Sequence, residues 1–140
     1  MLPAGLPLML VPFSIYNILE YLMPGFSWDH EIWHVNMISG GDWGFRRGDA
    51  IVAGSVVILL VELLRAARRA SRRTIVDHVL SMILFVAMLV EFMTIKGIAS
   101  STFFLLLVIS FVEVAAGFAV SIRTARRDVL LDAAGGGVEA

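Results

Sequence analysis

One string in this 140-residue chain matches a catalytic pattern in residue type and spacing: His30-Glu31-Ile32-Trp33-His34, the HExxH of zinc proteases. On a helix, two histidines four residues apart share a face and ligate Zn²⁺, and the glutamate between them acts as general base. The surroundings argue against that chemistry. The string lies in a short Trp-rich stretch, and no third ligand follows at a familiar spacing. A strand would hold positions 30 and 34 too far apart to chelate one ion. The reading adopted is an interfacial segment whose imidazoles face water and head groups. No catalytic, cofactor-binding or metal-binding residue is assigned, no cofactor is expected, and the chain is read as not an enzyme. The absence of cysteine excludes disulfides, thiolate catalysis and cysteine metal sites.

The second chemical feature is a glutamate on each apolar stretch: Glu20, Glu62, Glu91 and Glu113. Ionisable groups inside apolar spans are costly and usually face the interior of a bundle or a water-filled cavity. Glu20 and Glu91 fall near the same end of their segments, where they could approach one another. Glu62 lies one turn before Arg65, at about the depth of Asp77 and His78. Glu113 sits mid-segment with no basic partner in that stretch, on a helical face with Ser110, Gly117 and Ser121, and small residues at that spacing let helices approach closely. Glu113, Glu91 and Glu20 therefore form a possible intramembrane polar site. Two roles are open for Glu113: a protonatable group in a proton or ion path, or a neutral carboxyl donating one interhelical hydrogen bond. The second is preferred.

The third feature is basic. Ten of the eleven Lys and Arg residues are Arg, and Arg65, Arg68, Arg69, Arg72 and Arg73 fall within nine residues. Anionic head groups attract such a segment by about 1 kcal/mol per basic residue near the surface. The plain alternative is a topology signal. The run is short and has no interleaved aromatics, so nucleic acid is not an expected partner.

The elements that must position these residues follow from composition. The chain is 59% hydrophobic and only 16% charged, with a mean hydropathy of +0.86, against about 45–50% apolar and 25% charged for soluble domains. Four apolar stretches, about 2–23, 45–67, 75–95 and 101–122, are each read as a transmembrane helix. Lipid leaves no open sheet edge satisfied, and a hydrocarbon core about 30 Å thick needs about 20 residues of helix. Pro7 and Pro12 are read as kinking the first helix, with an unwound or re-entrant N-terminal half as the rival. It carries no basic residue and no cleavage signature, so it is read as a retained helix. The arginine asymmetry puts 65–73 and the C-terminal flank with Arg123, Arg126 and Arg127 in the cytoplasm. Segment 24–48 is then external, with all three tryptophans. Alternation across Ser39-Gly40-Gly41-Asp42 suggests a hairpin there, and an interfacial helix is the rival. The expected fold is an all-α integral membrane protein, a bundle of four transmembrane helices, N-in/C-in, forming one domain over 1–128 with a flexible tail at 129–140.

The last two stretches, RRTIVDHVLSMILFVAMLVEF and STFFLLLVISFVEVAAGF followed by SIRTARRD, resemble small uncharacterised inner-membrane proteins of alphaproteobacteria. The likeness covers about residues 43–128. It implies a four-helix, multi-pass protein of the bacterial inner (cytoplasmic) membrane, and brings no activity, cofactor or catalytic residue with it. The expected role is a non-enzymatic accessory or assembly subunit that packs on other membrane-protein subunits or on itself. The alternative is a small oligomeric transporter or channel using Glu113.

Overall fold

The structure is a computed structural model that describes residues 6–68 and 73–135. Among these residues four helices, α1 (Leu10–Leu22), α2 (Arg47–Arg68), α3 (Arg73–Thr94) and α4 (Ser101–Gly135), flank one hairpin of β1 (Glu31–Asn36) and β2 (Asp42–Arg46) between α1 and α2. Helix α4 is the centre, packed against both α2 and α3.

Proline sets where α1 begins. Pro12 occupies the third helical position, where its missing N–H costs no helical bond. The chain before it runs through turns closed by Leu10 N–H to Pro7 O and Val11 N–H to Leu8 O. The preferred reading, a kinked helix over the whole stretch, is corrected for residues 6–9, which precede the helix, while 1–5 lie outside the described residues. The start of α4 is set by a cap. Ser100 Oγ accepts the Phe103 N–H at 3.1 Å and lies 2.7 Å from the Tyr16 hydroxyl, so one side chain satisfies an orphan helix donor and ties α4 to α1. Ser100→Ala is expected to cost about 0.5–2 kcal/mol. It should appear as a lower midpoint in detergent unfolding, largely restored by Ser100→Asp, which keeps the cap.

The core lies at that same end. Tyr16 stacks on Trp28 with ring centroids 4.4 Å apart, and Phe103 meets Tyr16 edge-on at 5.0 Å and lies parallel to Phe92 at 6.0 Å. Along α4 the buried face continues through Leu106, Leu107, Ser110, Glu113 and Val114, spaced three or four residues apart as one side of a helix requires. The opposite faces of α2, α3 and α4 are apolar and exposed.

The expectation of four transmembrane spans is corrected. Among the described residues one helix, Ser101–Arg127, is long and apolar enough to cross a membrane; its 27 residues extend about 40 Å. Helix α1 has only 13 residues, about 20 Å, because the prolines delay its start. Helix α2 has 22 residues but carries Arg47, Asp49, Glu62, Arg65 and Arg68. The apolar part of α3 is His78–Thr94, shorter than a bilayer core demands. The four-helix transmembrane bundle, its N-in/C-in orientation and a multi-pass inner-membrane location therefore lose their support. The fold is also not purely α, because 24–48 contains a two-stranded antiparallel sheet. Helix α4 continues to Gly135, so helix occupies the start of the expected tail, and 136–140 lie outside the described residues.

Candidate site: buried carboxyls between the helices

Glu113 is brought into the interior by the register of α4, which turns 110, 113 and 117 toward α3. It is 4% exposed. From α3, Ser81 Oγ donates to Glu113 Oε1 at 2.6 Å, a fully buried bond between residues 32 apart in sequence. The other polar neighbour of the carboxyl is Glu62 on α2. Glu113 Oε2 and, one turn earlier, Ser110 Oγ are buried without a hydrogen-bond partner. His78 closes the far side. Its ring packs against Gly117 so tightly that a Cβ there would overlap it.

Glu62 has a second duty. Its Oε2 accepts the Leu8 N–H at 3.1 Å, just ahead of α1, where a carboxylate meets the positive end of the helix. The cluster thus joins the N-terminal segment, α2, α3 and α4 in one layer. A carboxyl hydrogen-bonded to a serine, beside a second carboxyl and an imidazole, has the chemistry to hold a proton.

Glu20 and Glu91 gather in a separate layer at the opposite end. Trp28 Nε1 donates to Glu20 Oε2 at 2.9 Å, and Asn17 Nδ2 and Tyr21 OH donate to Glu91 at 3.4 and 3.5 Å. Burial raises the Tyr16 pKa above the usual phenol value, and Glu20 and Glu91 push it the same way, against the Ser100 hydrogen bond. The phenol therefore stays protonated through the neutral range. The three glutamates grouped from the sequence thus divide into two sites. Ser81 and His78 were missing from the sequence grouping around Glu113, although their i, i+3 spacing on one face of α3 was available as a signal.

The HExxH residues lie on the hairpin. His30 precedes β1, while Glu31 and His34 are within it, all exposed. Four residues of extended chain separate the two histidines by about 13 Å. His34 Nδ1 donates to Glu31 Oε1 at 3.0 Å and its Nε2 lies 3.0 Å from Asn36 Oδ1, so both ring nitrogens are engaged. Among the described residues no three His, Asp or Glu side chains converge as a metal site would need. Replacing His30 and His34 together with Ala is expected to change stability by no more than about 0.5 kcal/mol, as exposed positions do. Stoichiometric zinc in the purified protein, lost in that double variant, would contradict this.

Of the five linker arginines, Arg65 is exposed on α2. Arg68 ends α2 and Arg73 begins α3, while Arg69 and Arg72 lie outside the described residues. No protein-family model matches this chain, and neither a curated protein nor a solved structure is detectably similar to it.

Proposed function

We propose that this chain is a non-enzymatic accessory or assembly protein of a membrane, held by α4 and packing on other membrane components through the outer faces of its helices. The observation that carries this reading is apolar surface with nothing over it. Val57 and Leu60 on α2, Val86 and Val90 on α3, and Phe104 and Phe111 on α4 are each about half exposed or more. Contiguous apolar patches of this kind mark lipid or protein contacts. The location proposed is the bacterial cytoplasmic membrane, with Arg65, exposed on α2, available to anionic head groups. The test is alkaline extraction of membranes followed by native mass measurement of the gently solubilised protein. Retention in the membrane and recovery in a heteromeric complex are expected. Release into the supernatant would overturn membrane attachment, and a defined homo-oligomer alone would favour transport.

Transport is the second reading, and the buried, incompletely bonded Glu113 favours it. A charged carboxylate at mid-bilayer costs at least about 2.5–3.5 kcal/mol on insertion scales, so Glu113 is neutral or well solvated. As a packing group that accepts the Ser81 bond it is replaceable: Glu113→Gln keeps shape and an accepting oxygen and is expected to match wild type. Glu113→Leu should then cost about 0.6–2 kcal/mol, the range for interhelical hydrogen bonds in membranes. A folded Gln variant that loses ion flux in proteoliposomes would establish the transport role instead.

A further inference from the structure

Strand alternation sorts the hairpin's side chains into two unlike faces, and one register irregularity moves Glu31 between them. Trp33 pairs with Phe45 and Val35 with Trp43, while His34 pairs with Gly44 and Asn36 with Asp42. Strict alternation would put Glu31 on the tryptophan face. The shift between Glu31 and Trp33 moves it to the other side, where its carboxylate lies over Gly44 and accepts from His34. One face therefore carries Trp33, Val35, Trp43 and Phe45, with Trp43 and Phe45 in edge contact at 5.8 Å. The other carries the Glu31, His34, Asn36 and Asp42 polar chain. Trp33 is 63% exposed and Trp43 45%, and the tip residue Ile38 is fully exposed.

Its place in the fold says what meets that face. The strand β2 runs directly into α2, and Gly48 in the first turn of α2 presses against Thr102 in the first turn of α4. The Gly48 N–H also donates to Trp28 O at 2.9 Å. The hairpin thus stands beside the first turn of α4, the one helix among the described residues long and apolar enough to cross a bilayer. Arg46, the last residue of β2, lies 3.5 Å from Asp29, and the Arg47 guanidinium sits over the Phe26 ring at 4.7 Å, so two cations border this end of the hairpin. Tryptophan, with an apolar ring and one N–H donor, is the side chain that concentrates where hydrocarbon gives way to head groups.

We propose that the Trp33, Val35, Trp43 and Phe45 face lies in the interfacial zone of a lipid bilayer and fixes how deep α4 sits. The proposal rests on the membrane reading above, and its test separates the two. The full chain is reconstituted in phosphatidylcholine vesicles, with acyl chains brominated either near the head group or near the bilayer centre. Flotation with the vesicles is scored first. The emission of Trp33 and Trp43 is then the difference between wild type and the W33F/W43F variant, which retains only the buried Trp28. The expected result is loss of about half of that emission to shallow bromine, less to deep bromine, and little to aqueous iodide. Floating protein whose Trp33 and Trp43 stay open to iodide overturns the docking and leaves membrane attachment standing. Shielding from both bromine and iodide overturns it in favour of a second copy or another protein over the face. Failure to float overturns membrane attachment itself.

Discussion

Phe103→Ala is expected to lower folding stability by about 3–5 kcal/mol, the cost of removing a large buried ring and leaving a cavity. Phe103 is fully buried and sits where α1, α3 and α4 converge, with Phe13, Tyr16 and Phe92 around it. No neighbour can collapse into the space without disturbing the Tyr16–Trp28 stack or the Ser100 cap. The measurement is denaturant or thermal unfolding in detergent. Val112→Ala, on the exposed side of α4, serves as the control and should move the midpoint far less. A Phe103→Ala protein as stable as that control would show that the aromatic cluster is not the core.

The second large effect is at Gly117, and its sign is the informative part. An exposed helical glycine replaced by alanine ordinarily gains about 0.5–1 kcal/mol. Gly54 on α2, with open space where a Cβ would stand, should follow that rule. At Gly117 the His78 ring fills the space, so Gly117→Ala is expected to lose about 1–3 kcal/mol as overpacking does. The loss arises because the ring must swing away from the α3–α4 seam and disturb the Ser81–Glu113 bond beside it. Combining Gly117→Ala with His78→Ala should recover much of the loss, since contacting residues couple in a double-mutant cycle. A Gly117→Ala variant that gains stability as Gly54→Ala does would refute the close approach of the two helices.

What the sequence determined by itself is local. Helices read at about 45–67, 75–95 and 101–122 from their apolar content form at 47–68, 73–94 and from 101 onward. Alternation around Gly40-Gly41 left a hairpin and an interfacial helix both open; the hairpin forms, and its turn uses Gly40 at a positive φ of 81°, open to glycine at no steric cost. The number of crossing helices was overread for a local reason as well. Hydropathy registers apolar content, but length is decided by where helices stop. Pro12 shortens α1, and charges at both ends of α2 and the start of α3 cut their apolar lengths below a bilayer core. Tertiary structure alone decided the partners. Glu113 meets Ser81 because α3 and α4 are rotated to face each other, and rotation about a helix axis leaves no trace in apolar content. It also split Glu113 from Glu20 and Glu91, which share a composition signal but lie in different layers. The one-residue slip at Ile32, which moves Glu31 from the tryptophan face to the polar one, depends on pairing with β2, a bond pattern that no stretch of chain specifies alone.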